Sequence, residues 1–92
     1  MVRVKICGIT NLEDALNAAR AGADALGFVF YKKSQRYIQP EEARNIIKNL
    51  PKDTIKIGVF VNEKERIIRR IAKLCKLDML QFLGNVSPNF CQ

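Results

Sequence analysis

The chain contains no histidine, which removes the usual zinc-ligand patterns from consideration. It has three cysteines, Cys7, Cys75 and Cys91, far apart along the chain. An odd, widely spaced set with no secretory leader argues against a disulfide framework. Long apolar runs are missing too. The longest cover a few residues, far short of a membrane span. No basic stretch followed by an apolar core opens the chain, so no signal peptide is expected and the cytoplasm is the expected compartment. No segment is low in complexity or disordered by composition.

What remains is an ordinary globular composition in 92 residues, 48% hydrophobic and 27% charged. That length allows one domain at most, or part of one, with a modest core. The formal net charge is +7. Such a chain suits nucleic acid or an anionic ligand. Most of the charge reads more simply as solvated helix faces: Arg66, Arg69, Arg70 and Lys73 fall between the apolar positions of one helix. There is no aromatic ladder, RNA-binding signature or helix-turn-helix spacing, so no nucleic-acid partner is expected.

Period and turn signals alternate strand with helix. Val2 to Cys7 reads as a strand. A helix follows with Thr10 or Asn11 as its cap, Glu13 and Asp14 in its first turn and Gly22 as its stop. Ala25 to Phe30 is a second strand, followed by the polar loop YKKSQRY. Pro40 opens a second helix with the stripe Ala43, Ile46, Ile47 and Leu50, and Pro51 prevents its continuation. Ile55 to Val61 is a third strand. A third helix from about Lys64 to Leu74 buries Ile67, Ile68, Ile71, Leu74 and Cys75. Met79 to Leu83 is a fourth strand, and Ser87-Pro88 has the form of another helix start. Three βα units and a fourth strand imply an α/β fold with a parallel sheet and right-handed crossovers.

Side-chain parity bears on which parallel architecture this is. In the first strand Val2, Val4 and Ile6 share one face, and Arg3, Lys5 and Cys7 the other. In the third, Ile55, Ile57, Val59 and Val61 oppose Lys56, Gly58, Phe60 and Asn62. One apolar face suits a helix layer. The face mixing charge, glycine and sulfur suits the interior of a (β/α)₈ TIM barrel. A flavodoxin-like module with one partly polar face would look similar. In the barrel reading Cys7 sits inside, at the C-terminal end of the first strand, where barrel active sites are built, and Gly8 turns the chain above it.

Lys5-Ile6-Cys7-Gly8-Ile9-Thr10 resembles the N-terminal signature of the phosphoribosylanthranilate isomerase family. The resemblance continues in register through Gly22-Ala23-Asp24-Ala25-Leu26-Gly27-Phe28-Val29-Phe30, Ser34-Gln35-Arg36-Tyr37-Ile38 and Gly58-Val59-Phe60-Val61-Asn62. It implies about half of a TIM barrel, a single partial domain over residues 1–92. It implies an isomerase of tryptophan biosynthesis that carries out an Amadori rearrangement of a small phosphosugar, with no metal and no organic cofactor. Cys7 would be its general base, and Arg36 would meet the anthranilate carboxylate, which suits a planar guanidinium. Lys5, on the same inner face, is placed to favour the thiolate. Outside this context Cys7 would read as a small buried hydrophobe and Arg36 as a loop charge beside Lys32 and Lys33. Cys75 reads as core and Cys91 as incidental.

The fourth strand departs from the family pattern. Leu83 stands where the family has a histidine, and Val86 where it has a glutamate. The family's acid and its phosphate loops belong to later strands. The isolated chain is therefore expected to be inactive. The alternative reading is a non-catalytic scaffold that self-associates, because unpaired half-barrel edges favour a homo-oligomer.

Overall fold

The computed structural model describes residues 4–84. Within them strand and helix alternate: β1 (Lys5–Cys7), α1 (Leu12–Arg20), β2 (Ala25–Val29), α2 (Pro40–Ile47), β3 (Ile55–Val61), α3 (Glu65–Cys75) and β4 (Met79–Leu83). β1 is shorter than the Val2 to Cys7 expected, Val2 and Arg3 lying outside the described residues. The expected start at Ser87-Pro88 also lies outside them, as do Val86 and Cys91.

Local chemistry accounts for the helix ends. Asn11 caps α1: its Oδ1 accepts the Asp14 N–H at 2.8 Å. Gly22 (φ +99°) releases the chain past its end. Pro40 begins α2 where its missing N–H costs nothing. α3 ends on Lys76 in the left-handed conformation, φ 55°.

All strand pairs are parallel, in the order β1-β2-β3-β4. A flavodoxin-like sheet would put β1 between β2 and β3. The sequential order excludes that alternative. The sheet is also curled. Lys5 on β1 donates to Gln81 Oε1 on β4 at 2.7 Å, although these strands would be ~14 Å apart across a flat sheet. Two aspartates fix the register from below. Asp24 Oδ2 accepts the Val4 N–H at 2.9 Å, and Asp78 Oδ2 accepts the Lys56 N–H at 2.8 Å.

The core lies on the convex side. Leu26, Phe28, Phe30 and Phe60 pack beneath Ala15, Ala43, Ile46, Ile68, Ile71 and Cys75 from the three helices. This inverts the expected faces of β3. Register pairs Leu26 with Lys56, Phe28 with Gly58 and Phe60 with Phe82, so the polar-looking face carries the helices. Ile55, Ile57, Val59 and Val61 line the concave side with Lys5 and Cys7. The reason is packing. Gly58 leaves the room that Leu77, Phe30 and Phe60 fill, and a barrel interior takes branched aliphatics. The faces of β1 are as expected.

Candidate functional site

Cys7 ends β1 on the concave face, half-buried. The chain turns immediately at Gly8 (φ +88°), and the N–H groups of Gly8 and Ile9 both donate to Gly27 O, at 3.0 and 3.1 Å. Gly27 is Cys7's neighbour across the ladder. A Cβ there would stand 3.3 Å from both Cys7 Cα and Sγ, so a glycine is what gives the cysteine side chain its place. Gly27 carried no assigned role in the sequence. Its cue was a glycine in an otherwise apolar strand.

The loop after β2 closes over this corner. Ser34 is buried and its Oγ accepts the Arg36 N–H at 3.0 Å. The Ile38 N–H donates to Val29 O at 3.0 Å, and Tyr37 bridges Val29. Thus tethered, the loop lays the Arg36 side chain over Gly8. A Cβ on Gly8 would lie 3.1 Å from Arg36 Cγ and Nη1. The fold therefore brings Arg36 to Gly8, the residue next to Cys7, from 28 positions along the chain. Gly8→Ala meets two penalties at once, a left-handed backbone and this contact. It is expected to cost ~1–3 kcal/mol, read as a lower urea midpoint at unchanged slope. A midpoint within error of the parent would show that neither constraint is real.

Cys7 is disulfide-bonded, against the argument from cysteine count and spacing that no disulfide framework is present. Spacing along a chain does not report which sulfurs meet in space. A disulfide sulfur is no base, so any proton-transfer role at Cys7 belongs to the reduced protein. Cys75 is a free, buried thiol, as expected of a core position. Its Sγ–H donates to Pro40 O at 3.3 Å. Burial first, then the Glu41 charge, push its pKa up to about 11 against the opposing pull of Arg44. It stays a neutral thiol near pH 7 and is inert.

Lys5 Nζ donates to Gln81 Oε1 across the concave face. Leu83 lies on the same side as Gln81, half-buried beside Val61. Among the described residues no three His, Cys, Asp or Glu side chains cluster to hold a metal ion. No helix among them is long and apolar enough to cross a membrane.

Comparison with known proteins gives one answer. The family profile of N-(5'phosphoribosyl)anthranilate (PRA) isomerase matches residues 4–91. An N-(5'-phosphoribosyl)anthranilate isomerase of Trichlorobacter lovleyi is 52% identical over 92 residues, all of this chain and 45% of that protein. A crystal structure of phosphoribosyl anthranilate isomerase in complex with reduced 1-(o-carboxyphenylamino)-1-deoxyribulose 5-phosphate superposes with a TM-score of 0.89 at 55% identity. It covers 95% of this chain and 45% of that one. A structure of monomers derived from the dimeric enzyme of Thermotoga maritima gives a TM-score of 0.87 at 54% identity, with 95% and 44% coverage. These structures are TIM barrels, and the chain spans about 45% of the length of the curated relatives it matches. From the motif around Cys7 to β4, the chain belongs to the N-(5'-phosphoribosyl)anthranilate isomerase family.

Proposed function

We propose that this chain supplies the N-terminal half of an isomerase site that converts N-(5'-phosphoribosyl)anthranilate, an aminoaldose, into its 1-(2-carboxyphenylamino)-1-deoxyribulose 5-phosphate ketose, a step of tryptophan biosynthesis. The supporting observation is the Cys7–Gly8–Arg36 corner, in which a cysteine ends β1 and a guanidinium lies over the next residue, at the C-terminal end of the parallel strands.

In this reading an acid from outside these residues protonates the ribose ring oxygen and opens it to a Schiff base. The reduced Cys7, as thiolate, then takes the C2′ proton. The released electron pair forms the C1′=C2′ bond of an enolamine and neutralises the iminium nitrogen. Tautomerisation gives the ketone. An ordinary thiol with a pKa of ~8.5 is mostly protonated at neutral pH. Arg36 offers a planar fork to the anthranilate carboxylate and fixes which face of C2′ meets the sulfur.

Arg36→Met tests the binding role. With the C-terminal half of a relative supplied and a reductant present, KM is expected to rise about tenfold or more, the loss of a charge-assisted pair, with kcat changed far less. An unchanged KM would remove Arg36 from the site.

Among the described residues, β1 and β4 each pair on one side only, at the two ends of the sheet. On β1 Ile6 is exposed, and beside it Val4 and Leu12. On β4, Leu80 and Phe82 are exposed, Phe82 by 60%. Such edges favour pairing with another edge. Sedimentation of the isolated chain is expected to show concentration-dependent self-association. A single monomeric species across a hundredfold range of concentration would contradict this.

A further inference from the structure

The end of the sheet opposite Cys7 holds a cleft, of about 440 Å³, between α2 and α3. Five cations line it: Arg44 on α2 and Lys48 capping its end, Lys52 from the following loop, Lys56 from the start of β3 and Lys76 capping the end of α3. Ile47 and Leu74 form an apolar wall beside them. Asp78 pairs with Lys56 at 3.2 Å, but its carboxylate already accepts the Lys56 N–H that fixes the strand register. Arg44, Lys48, Lys52 and Lys76 are in no ion pair among the described residues. We propose that this cleft is a binding site for a small anion bearing two or more phosphoryl groups.

Three features separate the cleft from a merely solvated basic face. Its charges come from four segments of the chain and converge, so they repel one another when the cleft is empty. Arg44 and Lys48 stand one helical turn apart, where like charges are unfavourable. The apolar wall excludes water from one side, which strengthens any charge contact made against it. Lys76 occupies a left-handed position (φ 55°) that glycine fills at lower cost. The fold alone does not call for a lysine there, but an anion site does. Lysines bind phosphoryl oxygens as point charges, and Arg44 adds a fork. A single phosphate, at about −1.5 to −2 near pH 7, would neutralise at most half of the unpaired charge, whereas a chain of phosphoryl groups carries more charge and can reach cations at both helix ends. None of these residues takes part in the Cys7 corner, so the cleft stands or falls independently of the isomerase reading.

The test is titration of the chain with inorganic triphosphate in a calorimeter at fixed ionic strength, beside orthophosphate, citrate and a short single-stranded RNA. Saturable one-to-one binding of triphosphate is expected, at least tenfold tighter than that of orthophosphate. Lys48→Glu is expected to weaken it at least tenfold. Lys76→Gly is expected to weaken it severalfold while leaving the melting temperature equal or higher, which separates binding from folding. Affinity unchanged in both variants would overturn the proposal. Citrate bound as tightly as triphosphate would overturn the assignment to phosphoryl groups. RNA bound more tightly than triphosphate would overturn the choice of a small ligand.

Discussion

Cys7→Ala in the completed, reduced enzyme is expected to lower kcat by ~10²–10⁴-fold, the usual contribution of a positioned general base, with KM little changed. The sulfur acts only as the C2′ proton leaves, so its removal raises the barrier without touching ground-state contacts. The substitution is mild for the fold. Cys7 is half-buried, and an alanine at its position leaves Gly27 and the turn at Gly8 as they are. Steady-state kinetics under reductant, with circular dichroism confirming an unchanged fold, give the answer. A kcat within threefold of the parent would place the base elsewhere. Because the sulfur is held in a disulfide in this structure, activity should also fall when the reductant is withdrawn.

Phe60→Ala is expected to have the largest effect on stability, a loss of ~3–5 kcal/mol. Phe60 is fully buried and stacked between Phe30, 5.4 Å away, and Phe82, 6.2 Å away. It sits over the space left by Gly58, where Leu77 also packs. Removing the ring opens a cavity bounded by two other rings that cannot both move in. A small domain has only about 5–15 kcal/mol in total, so most of the folded population would be at risk. Urea unfolding at a fixed protein concentration tests this, since self-association would otherwise shift the midpoint. A loss below about 1 kcal/mol would mean that the site collapses, or that the ring is not in the core.

Much of this fold was legible because punctuation and period agreed. The bounds of β3 and β4 follow from apolar runs between turn residues, and both match. Pro40 marks the helix start it was expected to mark, and of the two caps offered for α1, Thr10 and Asn11, the structure uses Asn11. The faces of β3 were not legible, because alternation alone does not say which face meets the helices. Glycine at position 58 reads as a weak core residue until the rings of Phe30 and Phe60 are seen filling its space. The curl of the sheet is likewise a three-dimensional fact, carried by the Lys5–Gln81 contact between its outer strands.

The candidate site was half legible. Cys7 and Arg36 could each be named from short motifs. Their meeting over Gly8 depends on a loop anchored by Ser34 and by the Tyr37–Val29 bridge, long-range pairings with no local signature. The disulfide at Cys7 ran against the reading of the cysteines. The basic cleft was hidden for a related reason. Lysines at positions 48, 52, 56 and 76 look like scattered surface charge along the chain and converge only when α2, β3 and α3 are packed.

The most direct measurement is isomerase turnover by the purified, reduced chain, alone and then mixed with the separately made C-terminal half of a family member. The account predicts no turnover from either half alone and measurable turnover on mixing that Cys7→Ala abolishes. Mixed, well-folded halves that form a complex yet stay inactive would contradict it, and would leave Leu83 and the chain around it as a scaffold without the chemistry.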